Sequence, residues 1–300
     1  MSYILGNKYR KKNDTLSNLI YISYRYGFTP IPNSIYVSDI GWGCTLRNGQ
    51  MLLANVFLKH LLPKWSYKKS YPKNYYNIIS YFRDSPSNIF SIHKFIEKYP
   101  KFDKKAGDWI GPYTLAMLIS EFKDTILNLY NITYICESSG IIDMSKYNND
   151  NTNYLISIPV RLGLDYIDKS YYSNIIHLTK LNGFMGLIGG QLNKSYYFIG
   201  SHCNKLIYLD PHKSISYHLV DKDISIFQPS EIKYLNIDEL SPTFTIFFYL
   251  TSDIHVKEFE NINNTLPNPK YPLFDFGVSP EINNLTYDED SQLDDWNVVS

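Results

Sequence analysis

Residues 38–50 read Ser38-Asp39-Ile40-Gly41-Trp42-Gly43-Cys44-Thr45-Leu46-Arg47-Asn48-Gly49-Gln50. Two glycines lead into a cysteine. From there Leu46, Met51, Leu52, Val56 and Leu61 supply the apolar face of a helix. The spacing predicts a helix over residues 44–62 that opens on Cys44 and stops at Pro63. Helix N-termini carry unsatisfied N–H groups and about half a positive charge. A thiolate placed there is stabilised, so the thiol moves toward reactivity. The glycines let another chain's backbone approach the sulfur closely. The competing reading is an inert buried cysteine at a helix start.

Working outward, residues 15–22 read as a short helix, and residues 64–108 are rich in Lys and Tyr with one helical stretch near 92–97. Gly111-Pro112 opens a helix over 114–122. The second half changes character. Residues 130–136, 155–160, 184–188, 196–201, 206–210 and 243–250 are β-branched and aromatic, and read as strands. Gly189-Gly190 and Cys203-Asn204-Lys205 separate neighbouring strands as hairpin turns would. A helical first half and an antiparallel sheet in the second make an α+β fold.

The 300 residues can bury a large core. Basic and acidic residues cancel at 29 each, which excludes a globally basic nucleic-acid binder. A hydrophobic content of 44% excludes a wholly disordered chain. The charge is unevenly spread. Residues 256–300 hold two basic and nine acidic residues and four prolines, and read as an extended or disordered tail. Residues 1–255 then form a body with 27 basic and 20 acidic residues. Three cysteines, Cys44, Cys136 and Cys203, make a poor disulfide framework and point to a reducing compartment. The first residues lack the apolar run of a signal peptide, and the apolar stretch 244–250 falls far short of the roughly 20 residues that span a bilayer. A cytoplasmic protein without a membrane span is expected.

A second chemical candidate is Leu209-Asp210-Pro211-His212. Residues i and i+2 of an extended segment share a face, so both side chains can reach one site. Their separation of roughly 7 Å in a flat strand is too long for a direct bond. Pro211 restricts its own φ and the residue before it, which allows a local bend. His212 could then take the thiol proton while Asp210 fixes its tautomer. The alternative is an ordinary turn after a strand. A metal site from His202, Cys203, Asp210 and His212 is disfavoured, because the spacing of structural zinc ligands is missing and adjacent His202 and Cys203 would point to opposite faces.

Taken together, Ser38–Gln50, Trp109-Ile110-Gly111-Pro112, Gly186-Leu187-Ile188-Gly189-Gly190 with Tyr196-Tyr197-Phe198-Ile199-Gly200, and Leu209-Asp210-Pro211-His212 resemble the autophagins. These are the papain-like cysteine proteases of autophagy. Tyr24-Arg25 and Ile158-Pro159-Val160-Arg161-Leu162-Gly163-Leu164 also fit, in the family's order. The resemblance implies a papain-like fold with residues about 64–108 in a small auxiliary helical subdomain. It implies cleavage after the C-terminal glycine of a ubiquitin-like autophagy modifier, and release of that modifier from phosphatidylethanolamine, with no metal and no cofactor. Cys44 matches the family's nucleophile, Asp210 and His212 its Asp and His, and Tyr24 the tyrosine beside the oxyanion hole. Trp109 matches a tryptophan over the site. Residues 189–195, including Gly189, Gly190, Gln191, Leu192 and Asn193, match a loop that gates the substrate tail.

Two departures stand out: Leu192 occupies a usual proline position and Asn48 a common cysteine position. Cys136 and Cys203 are expected to be structural. The rival functions are a catalytically silent modifier-binding protein and a protease for another ubiquitin-like protein. Finally, Asp294-Asp295-Trp296-Asn297-Val298-Val299 resembles a modifier-interacting motif. Added as a strand to a partner's sheet, it would sink Trp296 and Val299 into two pockets.

Overall fold

The computed structural model describes residues 1–9, 19–62, 73–147, 152–220, 223–251 and 253–278. A hairpin of β1 (Ser2–Ile4) and β2 (Asn7–Tyr9) precedes a short strand β3 (Arg25–Tyr26) and the long helix α1 (Cys44–Leu61). Helices α2 (Lys73–Tyr81), α3 (Ile92–Ile96), α4 (Pro112–Ser120) and α5 (Lys123–Tyr130) complete the helical half. Then come β4 (Ile132–Cys136), β5 (Ile141–Ile142), β6 (Asn153–Arg161), α6 (Tyr172–Leu178), β7 (Phe184–Gln191), β8 (Lys194–His202) and β9 (Lys205–Leu209). The chain continues through β10 (Ile215–Ser216), β11 (Lys233–Asn236), β12 (Thr243–Leu250), α7 (Asp253–Glu260), α8 (Ile262–Thr265) and β13 (Asp275–Phe276).

The main sheet runs β11-β9-β8-β7-β12-β6-β4, with β1 joined to the far end of β8. Its neighbours are antiparallel except for the parallel edge pair β4 and β6. Side chains alternate across it. Tyr197, Ile199, Ile207, Leu209, Phe247 and Tyr249 face a core shared with the helices of the first half. Tyr196, Phe198, Leu206, Ile246 and Phe248 face a second core. Burial on both faces explains why β12 reads as a nearly unbroken apolar run rather than an alternating one. Helix α1 lies against β7 and β8, and α4 against β12.

Helix α1 is buried on every side as far as Leu58, including Arg47, Asn48, Gln50 and Asn55. Asn55 shows how a polar residue fits there: its side chain accepts from Ile20 N–H at 3.0 Å and donates to the Ile20 carbonyl at 2.8 Å. That bracket holds residues 19–22 in a non-helical path, contrary to the short helix expected over 15–22, whose first residues lie outside the described ones.

Other expectations are also corrected. Residues 256–278 do not form an extended tail. They build most of α7, all of α8 and β13, and bury Phe259, Ile262, Leu266, Leu273 and Phe274 in the second core. The body therefore runs past residue 255. Trp296 and Val299 lie outside the described residues. The segment 73–102 does not stand apart as a subdomain, since Ile78, Phe82, Phe90, Phe95 and Tyr99 share one core with Phe57 of α1. Gly189-Gly190 are not a turn. They lie in β7, where Gly190 pairs with Ser195, and a Cβ on Gly190 would come within 1.8 Å of the Lys194 carbonyl. The turn itself is Leu192-Asn193, where Asn193 takes φ 59° and asparagine tolerates that left-handed conformation. Among the described residues no helix is long and apolar enough to cross a membrane.

Candidate active site

Strand β9 ends at Leu209, so Asp210-Pro211-His212 leaves the sheet in a turn. The long spacing of a flat strand no longer applies. His212 Nδ1–H donates to Asp210 Oδ1 at 2.6 Å, and His212 N–H reaches the same oxygen at 3.1 Å. An ionised carboxylate only accepts, so Nδ1 carries the proton and Nε2 is left for chemistry. Three bonds tie this turn to the segment before the nucleophile. Tyr24 N–H donates to the Pro211 carbonyl at 2.9 Å, Ile215 N–H to the Tyr24 carbonyl at 3.0 Å, and the Tyr21 hydroxyl to the Asp210 carbonyl at 2.6 Å.

Cys44 begins α1 and is 1% exposed. Trp109 Nε1–H donates to its sulfur at 3.3 Å. The His212 imidazole and the Ser195 N–H are directed at the same sulfur. Tyr24 meets the His212 ring edge-on, with centroids 5.3 Å apart, and its hydroxyl lies against Cys44 and the Gly41 backbone. Tyr196 also meets this ring edge-on, with centroids 5.7 Å apart. The sequence-based residues Cys44, Asp210, His212, Tyr24 and Trp109 are thus brought together. The hairpin of β7 and β8 sits beside them through Ser195. Leu192 at its tip is 74% exposed.

The loop before Cys44 rests on a buried ionic support. Arg47 Nε donates to Asp39 Oδ2 at 2.8 Å and Nη2 to Asp39 Oδ1 at 2.9 Å, a two-pronged pair. Arg47 Nη1 reaches Asp84 Oδ1 at 2.8 Å and Gln50 Oε1 at 2.9 Å. Asp39 also accepts from Arg25 N–H at 2.7 Å, while its carbonyl takes the N–H groups of Trp42 and Gly43. Gly43 is needed here because a Cβ would fall within 2.5 Å of Asp39 Oδ2.

A profile of the Peptidase C54 catalytic domain matches residues 9–264. The chain belongs to the peptidase C54 family. Among its relatives, "Cysteine protease ATG4" of Candida albicans is 30% identical over 85% of this chain and 66% of its own length. "Cysteine protease ATG4C" of Homo sapiens is 29% identical over 91% of this chain and 76% of its own. "Cysteine protease ATG4b" of Arabidopsis thaliana is 29% identical over 78% of this chain and 56% of its own. The chain therefore spans between about half and three quarters of these relatives. Membership makes this a cysteine-type peptidase domain with a papain-like fold.

The electrostatics of the C54 site suit a thiol nucleophile. Burial raises the Cys44 thiol, but the His212 imidazole beside it, the Trp109 N–H and the imidazolium's charge outweigh this and bring the thiol below its ordinary value. Burial lowers His212, but Asp210 and the thiolate overcome this and hold the imidazole at about 9. Asp210 is held well below the usual carboxylate range: burial raises it, and His212 and then Lys233 more than reverse that. Tyr24 is pushed far above an ordinary phenol, first by burial and then by the thiolate, so it remains an O–H donor. Both shifts favour the thiolate–imidazolium form of the pair.

A pH profile follows. Activity needs the thiolate, present above the depressed Cys44 value, and the imidazolium, lost as pH rises through about 9. Against a peptide ending in glycine before the scissile bond, kcat/KM is expected to be bell-shaped with its alkaline limb near 9. Its acid limb should lie below the ordinary thiol value of roughly 8.5. A single rise at the ordinary thiol value would contradict the ion pair.

The remaining cysteines differ from one another. Burial pushes the Cys136 thiol up to about 11, away from the thiolate form. Cys203 is exposed in the turn between β8 and β9 at φ 53°, so it is not a core residue. His202 Nδ1 is engaged by Ser2 Oγ at 2.7 Å. Among the described residues no three His, Cys, Asp or Glu side chains are grouped as metal ligands. Sequence reading missed Lys233, which bonds Asp210, along with Tyr21 and Asp84. None carries a local signal, because each reaches the site only through the fold.

Proposed function

We propose that this C54 peptidase cleaves after the C-terminal glycine of a ubiquitin-like autophagy modifier, both in its precursor and in its phosphatidylethanolamine conjugate, in the cytoplasm. The observation that carries the reading is the geometry around Cys44: a thiol buried between the Trp109 indole and the His212 imidazole, with Asp210 behind. Such a set argues against a catalytically silent binding protein. The names of the relatives place related chains among autophagy-type cysteine proteases.

The chemistry runs in two halves. The Cys44 thiolate attacks the glycine carbonyl, and the tetrahedral oxyanion is met by the Cys44 N–H and the Tyr24 hydroxyl. The imidazolium of His212 then gives its proton to the leaving amine, which frees either the precursor's C-terminal peptide or the lipid's ethanolamine nitrogen. A water molecule, deprotonated by neutral His212, attacks the thioester and restores the thiolate. Trp109 bonds the sulfur and Cys44 is 1% exposed, so a substrate tail that is flexible and lacks a Cβ at the cleaved position would fit best. Leu192-Asn193 would move aside as that tail enters. The modifier's folded body would supply the remaining specificity. Side-by-side cleavage of an autophagy modifier precursor and ubiquitin fusions tests the substrate class. Equal rates would remove the specificity from the account.

The acidic C-terminus is proposed as a second contact with the same modifier. Trp296→Ala is expected to weaken modifier binding roughly 30-fold, the loss of one buried aromatic anchor. An unchanged Kd in calorimetry would exclude the motif.

A further inference from the structure

We propose that Lys233 is a positioning residue of the catalytic pair, its ammonium holding the Asp210 carboxylate in the orientation that His212 requires. The two carboxylate oxygens are divided between two partners. Oδ1 accepts from His212 Nδ1–H at 2.6 Å and from His212 N–H at 3.1 Å. Oδ2 accepts from Lys233 Nζ at 2.8 Å. A rotation of the carboxylate that loosens either bond strains the other, so the lysine holds the plane from the side opposite the imidazole.

The sheet register makes this contact. Lys233 opens β11 and pairs with Tyr208 on β9, two residues before Asp210. The strand that delivers the aspartate thus lies beside the strand that delivers its counter-ion. Lys233 has a second acidic neighbour, Glu231, but at 3.5 Å and on a side chain 68% exposed. The shorter, better shielded bond goes to Asp210. Surface ion pairs as a class add little to stability, and Lys233 is itself 40% exposed. Its value is therefore orientation rather than folding energy.

The other charged or titratable neighbours are few. Asp210 is faced by His212, Lys233, Tyr196 and Tyr208, and by the Tyr21 hydroxyl at its own carbonyl. His212 is faced by Asp210, Cys44, Tyr24 and Tyr196. Behind the carboxylate a cavity of about 60 Å³ is lined by Tyr21, Lys213, Glu231 and Lys233. It leaves room for a longer guanidinium in place of the ammonium.

This inference rests on the peptidase reading, so its test uses the thiol's own reactivity and needs no modifier. The rate of Cys44 carboxymethylation by iodoacetate is measured against pH in the unaltered 300-residue chain, in Lys233→Met and in Lys233→Arg, with thermal midpoints alongside. In the unaltered protein the rate should rise with the thiolate and fall as the imidazolium is lost. Lys233→Met is expected to move the falling limb to lower pH by about one unit and so to reduce the rate at pH 8 about twofold. Its thermal midpoint should match the parent's, and Lys233→Arg should restore both limb and rate. A falling limb that stays in place in Lys233→Met, or moves to higher pH, would overturn the positioning role. If the unaltered protein shows only the rise of an ordinary thiol, the peptidase reading itself fails, a result separate from anything the lysine variants do.

Discussion

Cys44→Ala is expected to abolish turnover, by about 10⁶-fold on the scale of triad hydrolases stripped of their nucleophile, while the fold is retained. The backbone N–H of residue 44 and the Tyr24 hydroxyl would still meet an oxyanion. His212 would still be oriented by Asp210 at 2.6 Å. What disappears is the only atom in the site able to form the thioester. The structural cost is small, because Cys44 contributes one buried sulfur whose hydrogen bond comes from Trp109 at 3.3 Å. A lost bond of that kind costs about 1 kcal/mol. Turnover measured beside the thermal midpoint separates the two effects. Cleavage that persists at a comparable rate would place the nucleophile elsewhere.

The largest effect on stability is expected from Arg47→Met. The guanidinium is fully buried and stands between Asp39 and Asp84, with side-chain exposures of 0% and 2%. Removing it leaves two buried carboxylates without their shared cation. Breaking a buried ion pair from one side costs roughly 3–5 kcal/mol, which in a domain of this size is a fall of roughly 6–20 °C in Tm. Because Asp39 also takes the N–H groups of Arg25, Trp42 and Gly43, the loop that presents Cys44 should loosen at the same time. Thermal unfolding checks the first effect. A loss below about 1 kcal/mol would mean that the network is replaceable by apolar packing.

Particular residues show how far the sequence could be read. The helix beginning at Cys44 was legible because glycines, a cysteine and helical apolar spacing all coincide within a few residues. The strands around Tyr197 and Phe247 were legible from their aromatic and β-branched content. Asp210 and His212 could be paired from a strand end and a proline, although the 2.6 Å bond needed the turn that only the structure displays. Lys233 and Asp84 were hidden for a different reason. They lie 23 and 37 residues from the partners they contact, and one charge among many carries no mark of what the fold will set beside it. Gly189-Gly190 misled because glycine serves two needs, turns and close backbone approach, and here the second applies. Residues 256–278 misled because acids and prolines dominate their composition. Phe259, Ile262 and Leu266 recur at helical spacing there, and that signal was the better guide.

The central claim is hydrolysis by Cys44 immediately after a modifier's C-terminal glycine. It is tested most directly by incubating the pure protein, and Cys44→Ala in parallel, with an autophagy modifier precursor and reading the product's C-terminus by intact-mass and peptide mass spectrometry. The account predicts a single new terminus at the glycine, formed by the unaltered protein and not by the variant. A precursor of unchanged mass, a cut at another residue, or the same product from Cys44→Ala would contradict it.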